Sequence, residues 1–222
     1  GRVSEDSQSD LLQLDTRYAY VRPGRRQSWQ LDAGMSHLFF GGSPLYTATE
    51  TGVRYLPFSS RRCKPYYGLV LQHQLFHDNS RLNAIEGKAS AGLNCGLEAS
   101  LGTQQITAEL ALLENAAIKD NRPGGDRGGW QASMAWRVPL GAGDFLSQLS
   151  HTRLDDRDSF NPLLAGGDDR WQARTYLLLQ YRRQLTTDVT LLLNFFHQYQ
   201  RSNIELFDNT DTTFEIGFSV VL

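Results

Sequence analysis

The sequence predicts an all-β protein, an antiparallel up-and-down transmembrane β-barrel of about 10–12 strands with short periplasmic turns and long external loops. Three observations predict it: long segments of strict two-residue alternation, connections that alternate between short and long, and an alternating chain end that closes on an apolar residue.

The alternation is clearest in three segments. From Trp29, one face holds Trp29, Leu31, Ala33, Met35 and Phe39, and the other Gln30, Asp32, Gly34 and Ser36. From Ala89, one face holds Ala89, Ala91, Leu93, Cys95, Leu97, Ala99 and Leu101, against Lys88, Ser90, Gly92, Asn94, Gly96, Glu98 and Ser100. From Trp130, the apolar set is Trp130, Ala132, Met134, Trp136, Val138 and Leu140, with Gln131, Ser133 and Arg137 opposite. A period of two belongs to strands, where successive side chains point to opposite faces. Similar stretches begin near Leu12, Tyr46, Tyr66, Ile106, Phe145, Trp171, Val189 and Phe214, giving about eleven candidate strands of roughly ten residues or more. Strands of soluble sheets average about five or six residues, and membrane-spanning ones need about nine to eleven.

The short connections are Pro23–Arg26, Leu101–Thr103, Gly141–Asp144 and Thr186–Asp188. The long polar ones are His77–Gly87, Asn115–Gly129 and Leu154–Arg170. Pro57–Pro65, of medium length and carrying Cys63, departs from the alternation. At the chain end, Phe214, Ile216, Phe218, Val220 and Leu222 alternate with Glu215, Gly217, Ser219 and Val221. This resembles the C-terminal signal of outer-membrane proteins, with Leu222 where that signal usually has Phe. If the last strand runs toward the periplasm, the strand near Leu12 does too. A complete bacterial barrel has an even strand number. The odd count leaves three resolutions: one strand miscounted, an N-terminal tail that threads back, or further strands from a longer parent.

Composition sets the outer bounds. The chain has 222 residues, enough for one sizeable all-β domain, and a formal net charge of −2. Such a balance gives no field for nucleic acid. No segment reaches the ~18 apolar residues of a transmembrane helix, which does not bear on a barrel. The polar start at Gly1 has no apolar leader core and predicts a processed or trimmed chain. Residues 1–10 read as a polar N-terminal tail and 11–222 as the barrel domain.

The faces then acquire roles. Charge on a lipid-facing position costs about 2–4 kcal/mol at the midplane, so the polar phase faces the lumen. The predicted lumen-lining residues are Asp32, Glu50, Arg54, Glu98, Glu109, Arg137, Arg174, Arg182 and Glu215. Both signs are present, which suits either a salt-bridged packed interior or a water-filled pore. Trp29, Phe39, Tyr67, Trp130, Trp171 and Tyr199 are the predicted aromatic residues of the membrane interface. Cys63 and Cys95 fit a single disulfide in an oxidising compartment, and two unrelated buried thiols about as well.

Catalytic chemistry does not assemble. His37, His73, His151 and His197 share the apolar phase near the expected outer rim. Ser36 and Ser150 adjoin histidines in sequence, but strand neighbours point to opposite faces and form no dyad. The acid-rich Leu154–Asp158 segment reads as a solvated loop, and Pro123–Gly129 as a loop tip outside any strand–helix phosphate loop. No metal spacing or cofactor is predicted, and the role predicted is not enzymatic.

The last hairpin runs Phe195-Phe196-His197-Gln198-Tyr199-Gln200-Arg201-Ser202-Asn203-Ile204-Glu205-Leu206-Phe207-Asp208, and returns through Phe214-Glu215-Ile216-Gly217-Phe218. It resembles the closing hairpin of the surface lipoprotein assembly modifier family and is similar to exopolysaccharide-exporter barrels. That resemblance implies a bacterial outer-membrane barrel for transport, export or surface-protein assembly. Its partners would be outer-membrane lipid and lipopolysaccharide, the barrel-assembly machinery and an exported substrate. The rival readings are an outer-membrane enzyme acting on lipid or peptide, a closed structural or adhesive barrel working through its external loops, and a soluble β-barrel with an apolar cavity.

Overall fold

The computed structural model describes residues 11–24, 27–58, 62–100, 102–160 and 168–220. The N-terminal tail of residues 1–10, the middle of the 154–170 connection and the final Val221-Leu222 lie outside the described residues.

Eleven strands follow one another: β1 (Leu11–Pro23), β2 (Gln27–Phe40), β3 (Ser43–Pro57), β4 (Cys63–Phe76), β5 (Ala84–Ala99), β6 (Gly102–Ala117), β7 (Arg127–Leu140), β8 (Gly143–Ser159), β9 (Asp169–Gln184), β10 (Val189–Ser202) and β11 (Asn209–Val220). Single 3₁₀ turns sit at Ser80–Leu82 and Glu205–Phe207. All strands join one sheet in sequence order, each antiparallel to its neighbours. The sheet is not closed: β1 and β11 each have one unpaired edge. Because direction alternates at every step, these two edge strands run the same way.

The strands, 12–17 residues long, extend further into the connections than the sequence pattern suggests. β5 begins at Ala84, β6 runs to Ala117, β7 starts at Arg127, and β8 reaches Ser159. The alternation fades there because outward positions become polar, as at Glu114 and Arg153, while the backbone ladder continues. One end of the sheet carries turns such as 141–142 and 185–188, and the other carries 77–83, 118–126 and 203–208. The β2–β3 turn breaks this sorting. It lies at the long-loop end yet consists of Gly41 and Gly42, at φ +56° and +81°. Positive φ at both central residues is the requirement of a tight type I′ hairpin, which glycine meets without strain.

The two faces differ in exposure. Along β2 and β4 exposure alternates position by position, with the apolar phase outward and exposed and the polar phase shielded. Leu110 and Leu112 are 67% and 70% exposed. Among the described residues no large side chain is fully buried, and the few buried apolar groups include Ala48, Ala84 and Ala111. A soluble barrel with an apolar cavity would need the opposite partition.

Candidate functional site: the inner polar face

Register determines which side chains share a face. Across the sheet, Gly34 lies opposite Glu50, Gln30 opposite Arg54, Gly92 opposite Glu109, Gln105 opposite Arg137, Thr152 opposite Arg174, Asp144 opposite Arg182 and Asn194 opposite Glu215. With Asp32 and Glu98, all nine predicted charged positions stand on the inner face.

They do not form one cluster. Glu109 is the best connected. It pairs with Lys88 at 2.7 Å and accepts from the Tyr66 hydroxyl at 3.0 Å. Lys88 Nζ also donates to Gln131 Oε1 at 2.9 Å, and Gln131 continues to Ser150 and Thr152. Arg54 stacks over the Tyr66 ring, 5.2 Å from its centroid. The result is a polar ladder from β3 to β8. Arg174 donates twice to Gln200 Oε1, at 2.8 and 3.0 Å, and Arg182 reaches Asp144 at 3.2 Å. Glu98 accepts from the Thr103 hydroxyl, Asp32 from Gln30, and Glu215 from Asn194.

At the long-loop end, a second cluster was not legible from sequence. Asp156 (6% exposed) lies between Arg127 and Arg170, its oxygens 3.0 Å from Nε of each. Arg170 (3% exposed) sits against the rings of Phe160 and Phe207, at 4.2 and 4.6 Å. Arg122, 6% exposed, donates from Nη1 to Asn115 Oδ1 at 2.5 Å. Burial holds its guanidinium below the ordinary arginine range; Asp156 opposes that shift and Arg170 adds to it. Gly124 and Gly125 are buried against Asp156 and Asp158, where a Cβ would meet the carboxylates. The Asp126 carboxylate caps the Ala117 N–H, and the Asp126 carbonyl accepts from the Arg157 N–H. The glycine-rich segment is therefore a folded strap rather than a free tip. Asp156 is buried, whereas its neighbours Asp155 and Asp158 are exposed.

The outer face has its own order. Trp29, Tyr67, Trp130 and Tyr199 are exposed on it, while Phe39 and Trp171 are half-buried. Trp29, Tyr55 and Tyr67 form a row across β2–β4, with centroids 4.7 and 6.5 Å apart. Tyr55, Trp136 and Phe145 also lie on this face; the alternation puts Trp136 in the apolar set and starts a strand at Phe145, but none of the three is among the predicted interface aromatics. Three histidines each meet the threonine directly across the ladder: His37 with Thr47 at 2.9 Å, His151 with Thr175 at 2.9 Å and His197 with Thr212 at 2.8 Å. Among the described residues no carboxylate is hydrogen-bonded to these pairs. No group of three or more His, Cys, Asp or Glu suited to a metal occurs among the described residues.

Cys63 and Cys95 lie directly opposite each other on β4 and β5, Cα atoms 3.9 Å apart, and are joined by a disulfide on the outer face. Comparison with protein-family models, curated proteins and solved structures gives no match to this chain.

Proposed function

We propose that this chain is the wall of a Gram-negative outer-membrane β-barrel with a polar, charged lumen, serving transport, export or surface-protein assembly. One observation carries the reading. From β2 to β7 the outward positions include one Asp, Glu, Lys or Arg, Glu114 near the long-loop end of β6, in addition to the histidines His37 and His73. The inward positions of the same strands include Asp32, Glu50, Arg54, Lys64, Glu86, Lys88, Glu98, Glu109, Arg127 and Arg137. That distribution suits lipid outside and water or paired charge inside.

Two features support it. On β2, Trp29 and Phe39 lie about ten residues apart, so at a strand tilt of 35–45° they are separated by roughly 25 Å along the normal, the height of an outer-membrane apolar band. The like direction of β1 and β11 means that an all-antiparallel closure takes an odd number of added strands. One further strand from outside residues 11–220 would make a barrel of twelve. A second copy in the same membrane orientation would offer edges running the same way, and so would not pair antiparallel. The closing hairpin's likeness to the surface lipoprotein assembly modifier and exporter barrels points to the same class of role, with lipopolysaccharide, assembly machinery and a translocated substrate as partners.

The test is heat modifiability after detergent extraction from an outer-membrane fraction, followed by planar-bilayer recording. A compact unboiled band and discrete conductance are expected. A chain soluble without detergent and without a band shift would overturn the membrane reading. A band shift without conductance would replace transport by a closed barrel acting through its loops.

A further inference from the structure

At the short-turn end, the inner face opens into a cavity of about 670 Å³ bounded by β3–β6. This lies within the usual 300–1,000 Å³ of small-molecule sites. Three cations stand around it: Arg54 on β3, Arg62 just before β4, and Lys64 on β4. Among the described residues, none of the three belongs to an ion pair. One carboxylate lines the cavity, that of Glu98, and both its oxygens accept from Thr103 Oγ1 at 3.0 and 3.2 Å. The local balance is thus three positive charges against one negative. Elsewhere on this face Lys88 is matched by Glu109 and Arg182 by Asp144, while Arg174 is bonded to the neutral Gln200; what sets this cavity apart is that three cations without an ion pair line one space.

The site also has room and a fixed wall. Gly96 lines the cavity, and a Cβ built there meets nothing within 4 Å. The Gly96 N–H donates to the Arg62 carbonyl at 3.0 Å, tying the two sides together. The Cys63–Cys95 disulfide lies behind this wall. Its partners alternate with Arg62 and Lys64 on one strand and with Asn94 and Gly96 on the other. Tyr66 forms the inner boundary, held by Glu109 at one end and covered by Arg54.

We propose that this cavity binds a phosphate-bearing anion. Two guanidinium groups and an ammonium on three-sided walls match a compact, multiply charged oxyanion better than a single carboxylate. The phosphate belongs either to a small soluble molecule or to a lipid headgroup reaching the rim. The inference is independent of conduction, because binding here does not require the sheet to close into a pore.

The experiment is titration calorimetry of the full chain in detergent micelles with inorganic pyrophosphate, repeated with micelles containing an anionic phospholipid. Saturable one-to-one binding of pyrophosphate is expected. The variants R54A and K64A are each expected to weaken it by about tenfold, the loss of one charge-assisted contact. G96L, which fills the open space, should weaken it while leaving the heat-modifiable band unchanged. K119A removes an equal charge at the opposite end and should leave binding unaltered. Competition by phospholipid micelles assigns the headgroup as the source, and its absence assigns a soluble phosphate. No saturable binding at millimolar pyrophosphate, or equal weakening by K119A and R54A, would overturn the site whether or not the protein conducts.

Discussion

The Tyr66 hydroxyl on β4 donates to Glu109 on β6 at 3.0 Å, crossing the intervening strand at Gly92. The crossing requires that glycine. A Cβ at Gly92 would stand 2.5 Å from the Tyr66 hydroxyl oxygen and 2.7 Å from the Ala108 carbonyl oxygen. G92V is expected to destabilise the fold by about 1–3 kcal/mol through overpacking. Urea unfolding in detergent, with Y66F as the milder comparison, checks this; an unchanged midpoint in G92V would show that the ring moves freely.

Asp156 is the shared counter-charge of Arg127 and Arg170, so its removal leaves buried cations unpaired. D156N is expected to cost about 3–5 kcal/mol, felt chiefly as release of the 118–126 strap. R122M removes one of the excess cations and is expected to fall within about 1 kcal/mol of the parent. Limited proteolysis of the strap ranks the two. Faster cleavage in R122M than in D156N would refute the charge argument.

The lowered Arg122 pKa gives a pH dependence of definite sign. A base whose folded pKa lies below its unfolded value binds fewer protons when folded, so stability rises as pH increases through the folded value toward the unfolded one. Toward strongly alkaline pH, the stability difference between parent and R122M should shift in favour of the parent, as read from unfolding midpoints at neutral and strongly alkaline pH. A shift in the other direction would mean that the guanidinium is better stabilised in the fold than in water.

Reduction of Cys63–Cys95 reopens a loop of sequence separation 32. The chain-entropy model gives about 3–4 kcal/mol for a loop of that length. C63S/C95S is expected to fold into the same heat-modifiable form with a lower unfolding midpoint. An unaltered midpoint would show that the β4–β5 ladder alone holds the pair.

If the lumen conducts, R137A and R174A should move selectivity toward cations, read as a shift in reversal potential under a salt gradient. R174A should act more strongly on stability, because Arg174 is bonded to Gln200, which itself holds the Phe207 carbonyl at 2.7 Å. No change in conductance or selectivity in either variant would remove these side chains from the ion path.

The strands were legible because a ladder with unlike faces imposes alternation, and so all eleven could be read, from Leu12 to Phe214, although β5 and β11 begin five residues before the pattern does, at Ala84 and Asn209. Once the strands are set, parity assigns Glu109 and Arg137 to one face. Parity does not say which inward charges meet. The Tyr66–Glu109 contact depends on register across two ladders, and the placement of Cys63 opposite Cys95 depends on where β4 begins. The strap was hidden for a different reason. Arg122 and Asp156 are distant in sequence, in a segment where alternation has stopped, and only the turn at Gly124–Gly125 brings the chain back over the sheet. Gly41-Gly42 was missed because the β2 and β3 patterns fade before they meet.

That turn has a consequence for the shape of the rim. Among the described connections at the long-loop end, 77–83, 118–126 and 203–208 hold six to nine residues each, whereas Gly41-Gly42 holds two. This short turn lies one hairpin from the unpaired edge of β1. The sparsest described stretch of that end and an open margin of the sheet therefore fall side by side.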